Sequence, residues 1–178
     1  MIVLQEIFHS NDINLSGKII YREAARGIII DKHKLLMVYS PKNGDYKFPG
    51  GGVEDGETYE GTLCREVEEE CGYKVERIEQ DFGCLIEYSQ ALEKDYDVFK
   101  MTSFYYVCKV GSDFSRQNLD RYEKELDFKP VWVDIDDAIK NNKSIIDSVS
   151  DQAQWTIRDT FILEQVKRQI FAINSWKP

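Results

Sequence analysis

Hydrophobic and polar positions along this chain follow two periods. From Lys18 to Asp31, "KIIYREAARGIIID", and from Lys34 to Ser40, "KLLMVYS", β-branched and apolar residues run together on either side of the polar tetrad "DKHK". That pattern predicts two strands joined by a turn. Lys74–Ser89, Val98–Val110 and Phe128–Ile135 read as three further strands. At Thr58 the period changes. Leu63, Val67 and Cys71 fall on one side of a helical wheel, so Thr58–Gly72 is expected to be an amphipathic helix. Thr58 is suited to cap its first N–H groups, and Gly72 to take the left-handed conformation that ends it. Asp136–Asn142 reads as a short helix. Trp155, Ile162, Leu163, Val166 and Ile170 give Ser150–Phe171 the spacing of a longer one, with Ser150 or Asp151 as its cap. Between these elements, Tyr46–Glu57 reads as a glycine-rich loop and Gly111–Leu126 as a polar connection. Strands flanked by a few helices predict an α/β domain with a mixed sheet, one unit over residues 1–178.

Composition narrows the classes. A chain with 42% hydrophobic and 31% charged residues is expected to fold as a soluble globule. Its formal charge of −9 speaks against binding a nucleic-acid backbone, which needs clustered Lys and Arg. No apolar run approaches the roughly 18 residues that cross a bilayer. The start "MIVLQEIFHSNDI" lacks a basic segment leading into an apolar one. The expectation is a cytoplasmic protein with no membrane partner. Cys64, Cys71, Cys84 and Cys108 form no C-x-x-C pair, and His9 and His33 are too few to complete a zinc site. Cys64 and Cys71 share a helical face and read as small buried hydrophobes.

The helix holds the candidate chemistry. Glu66, Glu68, Glu69 and Glu70 stand within five residues, although like charges three and four apart on a helix repel. At about 100° per residue, with Glu66 at zero, Glu69 falls near 300° and Glu70 near 40°, while Glu68 points away at about 200°. Three carboxylates therefore share an arc beside the apolar one, and Glu68 reads as plain surface. The loop ahead brings bare backbone close through "PGGG" and supplies a further acid, Glu57. Hard oxygen ligands converging in this way suit Mg²⁺ or Mn²⁺, which would neutralise the repulsion and draw in phosphate.

The stretch from Gly51 to Tyr73 resembles the signature of the Nudix hydrolases, in the manner of the MutT-like members. Gly51, Glu57, Arg65, Glu66, Val67, Glu69, Glu70 and Gly72 stand where that signature specifies them, and Tyr73 departs from its final aliphatic position. The resemblance covers about an eighth of the chain. It implies the family's α/β/α sandwich, with Glu66, Glu69 and Glu70 ligating the catalytic cations and the Gly50 carbonyl completing the shell. Glu57 would pair with Arg65 and hold the loop against the helix. The implied reaction is attack of water on phosphorus in a nucleoside diphosphate linked to another moiety, with a small nucleotide as partner. The general base is open between a box glutamate and an acid of a later loop, where Glu123 and Glu125 stand just before a strand and Glu125 is the candidate taken. Arg22 and Arg26 are candidate phosphate contacts. Phe48, or Tyr46, is a candidate to stack on a base. Tyr88, fifteen residues past the box, nearly matches a marker of the family's dinucleoside-polyphosphate enzymes and reads as sheet packing.

Two rivals stand beside this reading. One is a Nudix-like domain that senses a nucleotide or ADP-ribose without turnover; the intact acidic box argues against it. The other is an isomerase of isoprenoid diphosphates, which would want an active-site cysteine, and Cys64 is expected on the core side of the helix. A homodimer is left open.

Overall fold

The computed structural model of the chain describes residues 1–148 and 154–171. In chain order its strands and helices are β1 (Val3–Phe8), β2 (Ile19–Asp31), β3 (Lys34–Ser40), β4 (Asp45–Lys47), β5 (Gly50–Gly52), α1 (Tyr59–Cys71), β6 (Tyr73–Gln90), β7 (Val98–Phe114), α2 (Arg121–Glu125), β8 (Lys129–Asp134), α3 (Ile135–Ser148) and α4 (Gln154–Val166). A π-helical segment, Lys167–Phe171, follows α4. The expected α/β class with a mixed sheet is the class observed. Among the described residues no helix is long and apolar enough to cross a membrane.

The contacts divide the chain into two compact units, Met1–Ile28 with Pro49–Gln117, and Ile29–Phe48 with the described part of Asn118–Pro178. In the first unit the strand order is β1-β6-β7-β2, with β5 on β2. β1 runs parallel to β6, from Val3 opposite Cys84 to Phe8 opposite Tyr88, whereas β6 and β7 form a long antiparallel pair. Helix α1 packs on β5 and β6. Its Leu63, Val67 and Cys71 join Ala24, Ala25, Ile28, Leu85 and Tyr105 in a core with no exposed surface. Burial of a side chain such as Leu63 or Val67 contributes about 1.5–3 kcal/mol, which anchors the helix by its apolar stripe.

In the second unit β3 is central. It pairs antiparallel with β4 and β8, and Ile30 and Asp31 of β2 close a hairpin onto Leu35 and Lys34. α3 and α4 pack on each other and on β4. Leu35, Leu36, Met37, Val38, Phe48, Ile162, Leu163 and Val166 form its sealed core. Asn142 of α3 clamps β4 from both sides, accepting from the Tyr46 N–H and donating to the Tyr46 carbonyl, each at 2.8 Å.

Several elements differ from expectation. The segment Tyr46–Glu57 carries two short strands rather than only loop, and β1 lies at a sheet edge where no strand was expected. The polar connection holds α2, started by a capping box in which Asp120 and Glu123 satisfy each other's backbone N–H. α3 runs to Ser148, twice the length expected. The caps expected for the last helix, Ser150 and Asp151, lie outside the described residues.

Candidate active site

The site grows from the way α1 begins and ends. Thr58 Oγ1 accepts the Gly61 N–H at 3.1 Å, and Gly72 takes φ 74° and donates its N–H to the Glu68 carbonyl at 2.8 Å. With both ends fixed, the inward side carries Leu63, Val67 and Cys71 together with Glu66 and Glu70. Glu70 has no exposed surface and Glu66 only 9%. Buried carboxylates are stable only when hydrogen-bonded or paired. Glu70 Oε2 accepts the Gly50 N–H at 2.8 Å. Glu68 instead lies 3.9 Å from Lys74 Nζ on the outer side.

β5 can approach this closely because it is all glycine. A Cβ on Gly50, whose φ is 137°, would stand 2.2 Å from the Ala25 carbonyl oxygen, and one on Gly51 would stand 2.4 Å from Glu66 Oε1. The strand pairs with β2 through Ala24–Gly52, Ala25–Gly51 and Arg26–Gly50. A three-glycine strand has poor intrinsic β propensity. It forms here because side chains would fill the space where the carboxylates meet the backbone.

Arg65 ties the cluster together. Its Nε and Nη2 make a bidentate contact to Glu57 at 2.8 and 2.9 Å. Nη1 reaches Glu66 at 2.8 Å and Glu69 at 3.1 Å, and Nη2 also reaches the Gly52 carbonyl at 3.3 Å. Glu57 further accepts the Thr62 hydroxyl at 2.7 Å and the Glu54 N–H at 3.1 Å. The Arg65 guanidinium first, then the Thr62 hydroxyl and the Glu54 N–H, hold the Glu57 carboxyl down at about 2. The Glu57 carboxylate in turn raises the Arg65 guanidinium above its ordinary value. One guanidinium thus faces three carboxylates, so the cluster stays net negative before Glu70 is counted.

A divalent cation fits this donor set. Glu66 and Glu70 bring carboxylate oxygens within 4.8 Å of each other. They do so against a cradle kept open by the missing Cβ of Gly51, and all the donors are hard oxygens.

The other anticipated residues fall in varied places. The Gly50 carbonyl accepts Arg26 Nη1 at 3.0 Å, and Arg26 Nε donates to Ser103 Oγ at 3.2 Å. Arg26 is buried and props β5 from below, which corrects its expected role as a phosphate contact. Arg22 is exposed; its Nη2 lies 2.8 Å from where a Cβ on Gly52 would stand. In the second unit Phe48 has no exposed surface, so its ring offers no face to a base. Tyr46 leans on Tyr39, with ring centroids 4.9 Å apart. Glu125 sits on α2 with its carboxylate 3.0 Å from Arg121 Nε, on an exposed turn. Cys71 is buried but Cys64 is exposed, at the rim of the apolar arc rather than inside it. Partial burial, then the Glu60 charge, raises the Cys64 thiol above its ordinary value and keeps it protonated. Thr62 and Ser103 were not anticipated. Each is a lone hydroxyl in a buried stretch, and no linear spacing marks it.

A profile of the NUDIX domain matches residues 20–153. The chain belongs to the Nudix family. Among solved structures it is similar to a MutT NUDIX hydrolase from Burkholderia pseudomallei, at 21% identity over 83% of this chain and 98% of that one, TM-score 0.54. It is also similar to a NUDIX hydrolase from Nitrosomonas europaea, at 20% identity over 80% and 90%, TM-score 0.53. At these identities the likeness establishes the fold. A curated relative, an 8-oxo-dGTP diphosphatase from Proteus vulgaris, is 43% identical over 56 residues, which make up 29% of this chain. The chain spans about half the length of that relative.

Proposed function

We propose that the protein is a divalent-metal-dependent pyrophosphohydrolase that cleaves a nucleoside diphosphate linked to another moiety. The observation that carries this reading is the cluster of Glu57, Glu66 and Glu69 around Arg65, with Glu66 and Glu70 buried against the glycine strand. Glu66, Glu69 and Glu70 would hold Mg²⁺ or Mn²⁺, and the Gly50 carbonyl would join the shell through the lone pair that Arg26 Nη1 leaves free. When bound, the metal supplies charge neutralisation at phosphorus and lowers the pKa of its water. Glu57 and Arg65 clamp Val53–Glu57 to the helix and fix the orientation of Glu66 and Glu69, a positioning role. Glu69, whose side chain keeps 35% exposure where Glu70 keeps none, is assigned as the group that takes the proton of the attacking water. Glu125, held by Arg121, has no part in this assignment.

The test is incubation with Mg²⁺ and a panel of nucleotides, nucleotide sugars and 8-oxo-dGTP, followed by assay of phosphate and pyrophosphate release. Turnover of at least one nucleoside diphosphate derivative, abolished by EDTA, is expected. Full hydrolysis in excess EDTA would overturn the metal assignment, and saturable binding without turnover of any compound would favour a sensor.

A further inference from the structure

A positive charge is buried beneath the glycine strand. Arg26 is 6% exposed, and its guanidinium reaches two uncharged acceptors, the Ser103 hydroxyl at 3.2 Å and the Gly50 carbonyl at 3.0 Å. It makes no ion pair among the described residues. A cation in that setting costs stability that a well-packed apolar side chain of similar volume would not. The reason for it lies in what it holds.

Arg26 is the cross-strand partner of Gly50 in the β2–β5 pair, and its side chain turns back onto that residue's carbonyl. On the other side of the same residue, the Gly50 N–H meets Glu70 Oε2 at 2.8 Å. Gly50 therefore stands between a guanidinium and a carboxylate, at a φ of 137° that glycine alone adopts readily. With ordinary bond lengths, Arg26 Nη1 and Glu70 Oε2 are no more than about 10 Å apart. β5 has no side chains to pack, so hydrogen bonds decide where the Gly50 N–H points. Ser103, with no exposed surface, fixes the guanidinium in turn. A lysine, whose donors radiate from one nitrogen, lacks the fork of Nε and Nη1 that spans the two acceptors.

We infer that Arg26 is a positioning residue of the metal site: backed by Ser103, it holds Gly50 so that the Gly50 N–H fixes the carboxylate of Glu70, one of the proposed ligands. Arg26 thereby gains a part in the hydrolase reading, on which this role rests, without touching substrate or metal. The role has a sign. Acting through its charge alone, Arg26 would repel a cation, and its loss would tighten binding. Acting through Gly50, its loss weakens binding.

Arg26→Met separates these, because it removes the charge and keeps most of the volume. Its thermal melt is expected to match or exceed that of the wild type, while Mn²⁺ affinity, followed by electron paramagnetic resonance, falls about tenfold. In the metal-free protein, amide hydrogen exchange should quicken at Gly50 and stay unchanged at Thr62, whose N–H bonds to the Thr58 carbonyl within α1. Arg26→Lys should fall between Arg26→Met and the wild type. Ser103→Ala should weaken Mn²⁺ by about twofold in the same direction, and it decides alone if Arg26→Met does not fold. Arg77→Gln, which removes an exposed arginine paired with Glu79, should match the wild type. Mn²⁺ bound by Arg26→Met as tightly as by the wild type, or more tightly, overturns the role, as does unchanged exchange at Gly50. A lowered melt in Arg26→Met, with Ser103→Ala binding Mn²⁺ like the wild type, reduces Arg26 to a prop and overturns it too. No Mn²⁺ binding by the wild type overturns the metal reading and this role together. Mn²⁺ binding that follows Arg26, in a protein that hydrolyses nothing, overturns the activity and keeps the role.

Discussion

Carboxylates in the two units are handled in opposite ways. In the first unit, Glu57, Glu66 and Glu69 share the Arg65 guanidinium, and Glu70 takes a backbone N–H. Donors of that kind favour the charged form, as the Glu57 carboxyl held at about 2 shows. In the second unit, Asp45 is 1% exposed and its Oδ2 accepts from Trp155 Nε1 at 2.8 Å and Thr156 Oγ1 at 2.6 Å, both uncharged. Its Oδ1 has no hydrogen-bond partner among the described residues. Burial pushes the Asp45 carboxyl up against the pull of those two hydrogen bonds. The first arrangement gathers carboxylates around one guanidinium; the second uses a carboxyl as a strut between β4 and α4. Partner chemistry, rather than depth alone, separates a metal-ready acid from a structural one.

The largest effect should come from removing charge in the first set. Glu70→Gln and Glu69→Gln are each expected to lower kcat by about two orders of magnitude, with the thermal melt little changed, because each removes a negative charge from the proposed metal site and no core volume. Glu68→Gln, on the outer side with Lys74, should be close to silent. Equal damage from all three would erase the distinction between the two faces of α1.

Next is the backbone that makes the first set possible. Gly50→Ala places a Cβ against the Ala25 carbonyl at a φ of 137°, and is expected to cost about 2–4 kcal/mol in urea unfolding. Wild-type stability in that variant would mean that β5 can move away from β2, and with it from Glu70. A smaller effect is the coupling of Glu57 and Arg65. A double-mutant cycle on kcat with Glu57→Gln and Arg65→Ala should show a coupling of about 1 kcal/mol or more. Additive losses would show that the two act separately.

The smallest expected effect belongs to the second set. A carboxyl whose folded pKa is raised favours the fold most below its unfolded value of 3.8, and that contribution is lost as pH rises through the higher folded value. The stability of the wild type relative to Asp45→Asn should therefore fall between about pH 3 and neutrality. Thermal melts at several pH values check the slope. A difference that grows with pH would place a charged, stabilising Asp45 in the fold and undo the contrast.

Much of the first set was legible in the sequence, and the reasons are local. Thr58 and Gly72 bracket α1 because caps act within one turn, and the 3.6 period puts Glu66, Glu69 and Glu70 on one arc whatever lies around them. β5 is hidden from such local rules, because glycine is chosen there for what it lets approach, and a run of glycines reads as loop. Nor do they orient Arg26. Residues 24–29 of β2 are buried on both faces, so alternation carries no information about which side chain meets solvent. Phe48 differs from expectation for a related reason: an aromatic beside a glycine loop looks exposed in sequence, but here its chain segment belongs to the sealed core of the second unit. The capping box of α2 is encoded by Asp120 and Glu123, whose spacing does not stand out in a stretch otherwise polar.

On the proposed reading the charged set, and not the buried strut, holds a divalent cation. Titration of Mn²⁺ followed by electron paramagnetic resonance at neutral pH tests it without a substrate. The wild type should bind Mn²⁺ saturably, Glu70→Gln should bind it about tenfold or more weakly, and Glu68→Gln and Asp45→Asn should match the wild type. Mn²⁺ affinity in Glu70→Gln equal to that of the wild type would place the cation elsewhere and overturn the proposed site.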